Sequence, residues 1–181
     1  MKSITFITGN KGKAQEFQSI MGDKFMVERV KIDLPELQGT PNEIAEAKLK
    51  TAILELPNQD LIIEDSSLGF EALGDLPGPY IKWFLESMNL EDIPKMLDFT
   101  NNKKATAKAI FAVVKNGQAY IVEGAVSGTI VSPRGNYGFG WDKIFVPDGY
   151  NMTYAEMDPA EKNRISPRAV ALHKVQELYQ V

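Results

Sequence analysis

Apolar residues along this chain fall into distinct spacings, and each spacing predicts a different element. Ala45, Leu49, Ala52, Ile53 and Leu56 recur at the interval of a helix face. They follow Thr40-Pro41-Asn42-Glu43, a capping box with proline at the first helical position, so a helix from Pro41 to about Leu56 is expected. Ser3 to Thr8 reads as a strand leading to a helix from Ala14 to Met21, and Leu61-Ile62-Ile63 as a short buried strand whose C-terminal end opens on Glu64 and Asp65 at a sheet edge. Ala105 to Lys115 and Gln118 to Ile130 carry β-branched residues on both sides of Asn116-Gly117, which predicts a long antiparallel hairpin. Leu76-Pro77-Gly78-Pro79 marks a tight turn before a short helix from Tyr80 to Ser87. Asp158-Pro159-Ala160-Glu161 repeats the capping logic, and Ser166-Pro167 opens a last helix with Ala171, Val175 and Leu178 on one face. Parallel-type strand-helix units combined with a long hairpin predict a mixed α/β sheet rather than a doubly wound parallel one.

Composition narrows the chemistry. The 181 residues suit one domain with a sizeable core, and no repeat, low-complexity tract or linker divides them. No apolar run approaches a membrane span or a signal-peptide core, so a cytoplasmic protein without a membrane partner is expected. With no cysteine and one histidine, any metal must sit on oxygen ligands, and magnesium fits that constraint, with manganese as a substitute. A net charge of −4 argues against a general nucleic-acid surface and leaves room for a local basic pocket around a small anion.

The turn Gly9-Asn10-Lys11-Gly12-Lys13 joins the first strand to the first helix. Two glycines allow close approach of a ligand, a helix N-terminus aims N–H groups at it, and lysines add charge, so an anion such as phosphate is expected there. The spacing is not that of a Walker loop, because two residues separate Gly9 from Gly12 and Ala14 follows Lys13. Glu36, in a turn-like segment, together with Glu64 and Asp65 would make a magnesium site if the three converge; otherwise they are solvated acids. Lys48 borders the apolar stripe of its helix, and Lys82 stands beside Trp83; each is a surface lysine or faces a cleft. Tyr137-Gly138-Phe139-Gly140-Trp141-Asp142 interleaves rings with glycines, either to stack on a base or to pack as an aromatic turn into the core. Arg168, in the first turn of the last helix, is disfavoured by the helix dipole and needs an acceptor or an anion; an exposed arginine bonding Glu161 is the plainer alternative.

Taken together, Thr8 to Lys13, Lys31 to Gly39, Glu64-Asp65-Ser66, Leu76 to Phe84, Phe139 to Asp142, Pro147 to Tyr150, Thr153 to Met157 and Glu161-Lys162-Asn163 resemble the inosine triphosphate pyrophosphatases, which clear non-standard purine nucleoside triphosphates. The resemblance runs from Ile4 to about Glu177 and is strongest to the eukaryotic branch. It implies a homodimeric single-domain enzyme with an elongated mixed sheet flanked by helices, two lobes and a central active-site cleft. It implies hydrolysis of ITP, dITP and XTP to the monophosphate and pyrophosphate. Thr8, Gly9, Asn10, Lys11, Gly12 and Lys13 would cradle the triphosphate, with Lys48 and Lys82 as further phosphate contacts and Ser66 in the substrate site. Glu36, Glu64 and Asp65 would serve the metal, and Asp65 and Lys13 the catalysis, Asp65 as metal-side acid or general base. Phe139 would stack on the base, with Gly140, Trp141 and Asp142 lining its pocket, while Lys162, Ser166 and Arg168 would read the purine edge.

One position departs from the family. Where its members usually read Ser-His-Arg, this chain reads Ser166-Pro167-Arg168, so an imidazole is missing from the base pocket. Proline fits the first helical position and keeps Arg168 in register. His173, six residues further along the same helix, is no replacement. The departure leaves two alternatives: a pyrophosphatase of shifted substrate preference, and a nucleotide-binding module without catalysis.

Overall fold

Phe6 and Phe17, whose rings stack with centroids 4.4 Å apart, pin the first helix onto the first strand. The computed structural model describes residues 2–179. Strand β1 (Lys2–Ile7) leads to helix α1 (Lys11–Met21), strand β2 (Phe25–Val30) and helix α2 (Pro41–Glu55). Strands β3 (Leu61–Phe70) and β4 (Leu76–Gly78) follow, then helix α3 (Ile81–Ser87). Strands β5 (Lys104–Lys115), β6 (Gln118–Ile130) and β7 (Phe145–Pro147) precede helices α4 (Pro159–Ile165) and α5 (Pro167–Leu178). The strands form one seven-stranded sheet in the order β2-β1-β3-β5-β6-β7, with β4 paired to β3. β1 runs parallel to β2 and β3, whereas β4 on β3 and β7 on β6 are antiparallel. The sheet is mixed, as expected.

Local chemistry explains the element boundaries. Asn116 and Gly117 both take positive φ, 49° and 77°, the conformation a two-residue hairpin turn requires. α2, α4 and α5 each begin with proline, and the residues before them, Thr40, Asp158 and Ser166, are extended as a following proline ring demands. Thr40 and Glu43 form the capping box in full.

Two boundaries differ from the expectation by several residues. α1 starts at Lys11 rather than Ala14, because Asn10 is its N-cap and accepts the Lys13 N–H through Oδ1 at 3.1 Å; the glycine- and lysine-bearing turn is thus half loop and half first helical turn. β3 does not end at Ile63 but continues to Phe70, so Glu64 and Asp65 lie in mid-strand, on a strand flanked by β1 and β5 rather than at an edge. An apolar run marks only that part of a strand that is apolar on both faces, and here it covers the first three residues. β2, β4 and β7 were not anticipated.

The chain forms two compact units interleaved in sequence. The first holds the residues up to Asp65, Ala109–Gly124 and those from Arg168 onward; the second holds Ser66–Lys108 and Ala125–Pro167. In the first unit the sheet carries a core on each face. Ile62 and Phe111 pack with Phe6, Phe17 and the α5 residues Leu172 and Val175, while Leu61, Ile63 and Ile110 pack with Ala45 and Leu49 of α2. In the second unit Phe70, Ile144, Phe145 and Tyr154 centre a separate core.

Candidate active site

Alternation along β3 decides where its two acids go. Ile62 faces α1 and α5, and Leu61 and Ile63 face α2; Glu64 therefore projects to the first face and Asp65 to the second. The expected convergence of Glu36, Glu64 and Asp65 does not occur. Among the described residues no three histidine, cysteine, aspartate or glutamate side chains gather as a metal-ligand group.

On the α2 face, Lys48 closes around two carboxylates. Its Nζ donates to Glu36 Oε2 and to Asp65 Oδ1, both at 2.8 Å, and its side chain is buried. Burial pulls the Lys48 pKa down, but the charge and hydrogen bond of Asp65, with those of Glu36, outweigh it and hold the ammonium above its ordinary value. Asp65 Oδ2 is buried without a partner. An all-oxygen pair already gripping a cation, with one carboxylate oxygen unsatisfied, fits a hard divalent ion, and magnesium commonly takes only one or two carboxylates from protein.

On the opposite face, Arg168 finds its acceptors in Glu64 and Glu16. Its Nε donates to Glu64 Oε2 at 2.9 Å and its Nη2 to Glu64 Oε1 at 2.7 Å, while Nη1 pairs with Glu16. Arg168 is buried, which excludes the exposed arginine of the plainer alternative. Lys13 adds a second cation 3.4 Å from Glu64 Oε1. Glu64 is thus the anchor of two cations, one from the loop-bearing helix and one from α5. Sequence reading missed Glu16, and its only local signal is a position one helical turn after Gly12 and Lys13.

The loop between β1 and α1 is held by its own polar atoms. Thr8 Oγ1 accepts the Asn10 N–H at 3.1 Å, and Asn10 Oδ1 accepts that of Lys13. Lys11 and Gly12 stand at the first two positions of the helix, where N–H groups have no intrahelical acceptor, so these donors are available to an anion. Gly9 has an ordinary φ, and a Cβ there would meet nothing within 4 Å. The fold itself does not demand glycine at that position.

In the second unit, Asp142 organises the aromatic turn. Its Oδ2 accepts the Phe139 N–H at 2.8 Å and the Lys162 ammonium at 2.6 Å, with both charged side chains buried. Lys162 Nζ lies 5.0 Å from the Phe139 ring centre and 5.8 Å from that of Tyr154. Trp141 packs edge-on against Phe145 at 5.6 Å. Burial, followed by the Asp142 charge, pushes the Tyr154 hydroxyl far above its ordinary pKa, so it stays protonated. Trp141 packs against the core, as the packing alternative for the turn expects, whereas Phe139 is half-buried over Lys162. Ser166 is buried, Ser66 half-buried, Gly140 exposed, and Lys82 lies 4.9 Å from the centre of the exposed Trp83 ring. His173 is exposed on α5.

Comparison with known proteins places the chain in a family. The sequence pattern of the Ham1 family matches residues 4–178. The chain is 48% identical over 184 residues to the inosine triphosphate pyrophosphatase of Batrachochytrium dendrobatidis, covering 99% of this chain and 95% of that one. It is 39% identical over 179 residues to the inosine triphosphate pyrophosphatase of Schizosaccharomyces pombe, covering 98% and 95%. A HAM1 protein from Coxiella burnetii superposes with a TM-score of 0.86 at 26% identity over 99% of both chains. A nucleoside-triphosphatase, dITP/XTP pyrophosphatase, from Mycobacterium abscessus gives 0.71 at 26% identity over 96% of this chain and 98% of that one. The family pattern spans nearly every described residue, and the two fungal relatives stand far above chance similarity. The chain belongs to the Ham1 family.

Proposed function

We propose that this chain hydrolyses non-standard purine nucleoside triphosphates, ITP, dITP and XTP, to the nucleoside monophosphate and pyrophosphate. The observation that carries the reading is the Glu36 and Asp65 pair closed around a cation, in a chain 48% identical to an inosine triphosphate pyrophosphatase. A water molecule attacks the phosphorus that remains with the nucleoside, the bond to the bridging oxygen breaks, and the electron pair leaves with pyrophosphate. Asp65 orients that water and takes its proton. Thr8 to Lys13, with Lys48, bind the triphosphate, and Lys13 neutralises charge as it develops on the leaving group. Magnesium, held by Asp65 and Glu36, would supply further neutralisation of the same charge. Glu64 acts differently, as the buried anion that holds Lys13 and Arg168.

The purine stacks on Phe139 beside Gly140, Trp141 and Ser66, and Lys162 and Ser166 read its edge. Asp142 fixes the turn and orients Lys162. Hypoxanthine and xanthine present an oxygen at position 6 that accepts from these donors. Adenine presents an amino group, and each buried donor left unpaired costs about 1–3 kcal/mol. The two units act as one pyrophosphatase domain, in a homodimer that works on free nucleotides in the cytoplasm. No helix among the described residues is long and apolar enough to cross a membrane. The deciding experiment is pyrophosphate release from ITP, dITP, XTP, GTP and ATP with magnesium. Turnover favouring the first three supports the reading. ITP binding without turnover of any of the five would replace it with a binding module.

A further inference from the structure

Arg29, on β2, carries no motif, yet it is the side chain that ties the outer side of the loop down. The parallel register sets Arg29 beside Phe6, on the face of the sheet that α1 covers. From there its Nε donates to the Thr8 carbonyl at 3.1 Å and its Nη2 to the Gly9 carbonyl at 2.9 Å. The neighbouring Val30 carbonyl accepts the Thr8 N–H at 3.0 Å, so β2 grips the loop entrance at three points.

A trans peptide unit points its C=O and N–H in opposite directions. Holding the Thr8 carbonyl toward Arg29 therefore turns the Gly9 N–H away from it, and holding the Gly9 carbonyl does the same for the Asn10 N–H, which Thr8 Oγ1 then accepts. The same two bonds keep two carbonyl oxygens, each a repulsive partner for a polyanion, occupied by a cation. We propose that Arg29 is a positioning residue for triphosphate binding: it sets the Thr8 and Gly9 carbonyls on its own side and so leaves the Gly9 N–H, with those of Lys11 and Gly12 at the helix start, for the phosphates. The inference rests on the reading of this loop as a triphosphate cradle.

The test compares Arg29→Ala and Arg29→Lys with wild type, using ITP kinetics and competition by inorganic tripolyphosphate. Lysine keeps the charge but lacks the fork that reaches two carbonyls at once. For both variants KM for ITP and the tripolyphosphate inhibition constant are expected to rise about tenfold, with kcat within about twofold of wild type. Unchanged KM and inhibition constant in Arg29→Ala would overturn the proposal. So would wild-type values in Arg29→Lys alone, since charge rather than positioning would then be at work. Thermal melting of each variant identifies a general loss of fold, which would lower kcat and binding together; if Arg29→Ala unfolds, the Arg29→Lys constants decide. Failure of the pyrophosphatase reading is separately visible. Wild type would then release no pyrophosphate, while tripolyphosphate binding, measured by calorimetry, still tests Arg29.

Discussion

Arg168 and Glu64, 104 residues apart in sequence, meet as a two-point ion pair in which the glutamate side chain is wholly buried. A buried pair of this kind adds little net stability over an apolar substitute, but removing the glutamate charge takes two of the carboxylate contacts from buried Arg168, leaving Glu16, and the one from Lys13. Glu64→Gln should therefore lower unfolding free energy by about 3 kcal/mol, read from urea midpoints. It should leave the magnesium requirement unchanged, whereas Glu36→Gln should raise it. A magnesium titration in which Glu64→Gln shifts as far as Glu36→Gln would return Glu64 to the metal ligands.

Asp65 has one oxygen on Lys48 and the other buried and unpartnered, so its carboxylate is costly to keep unless function uses it. Asp65→Asn should cut pyrophosphate release about 100-fold or more while ITP binding, measured by calorimetry, largely persists. An active Asp65→Asn protein would move the role of base elsewhere.

Lys48 gives the site a pH signature. Its pKa in the fold lies above the ordinary 10.5, so its pairing with Asp65 and Glu36 stabilises the protein fully below 10.5 and is lost as pH rises through the folded value. The stability difference between wild type and Lys48→Met should be flat across neutral pH and shrink only above about 10.5. Urea unfolding at a series of pH values measures it. A difference that already declines near pH 8 would mean that burial, not the two carboxylates, dominates at Lys48.

Pro167 stands at the first position of α5, with Ser166 already extended before it. Proline suits that position because it needs no hydrogen bond there, so the backbone gains nothing from histidine. Because Pro167 is buried, Pro167→His should lower the melting temperature, and it should change the ratio of kcat/KM between ITP and GTP by about 2- to 10-fold, the worth of one hydrogen bond. An unchanged ratio would make the position structural only.

What could be read from the sequence was what short-range chemistry decides. Asn116-Gly117 forces a hairpin wherever it sits between strands, and Thr40-Pro41-Asn42-Glu43 caps its helix from four consecutive residues. The acids were legible as site residues but not as members of separate sets, because their separation depends on β3 running seven residues past Ile63 with helices on both faces. Arg168 was legible as a cation needing an acceptor, whereas Glu64 and Glu16 as that acceptor depend on α5 packing over β3. Arg29 left no trace at all. An exposed arginine on a six-residue strand looks like any other until the loop it holds is in view.

Two glycines separate fold from function most cleanly. A Cβ on Gly138, where φ is +72°, would stand 2.1 Å from Asp142 Oδ2, the atom that holds both the Phe139 N–H and Lys162. A Cβ on Gly9 would meet nothing within 4 Å. Gly138→Ala must therefore strain the backbone and displace the carboxylate together, at a cost of about 1–3 kcal/mol in stability. Its activity should fall with it, since both Phe139 and Lys162 lose their anchor. Gly9→Ala should melt at the wild-type temperature, since its methyl group meets no protein atom, and, if the loop cradles the triphosphate as proposed, should still raise KM for ITP. Melting curves and ITP kinetics on the two proteins give the comparison directly. A Gly9→Ala enzyme with wild-type KM would mean that the triphosphate does not approach the loop at that residue.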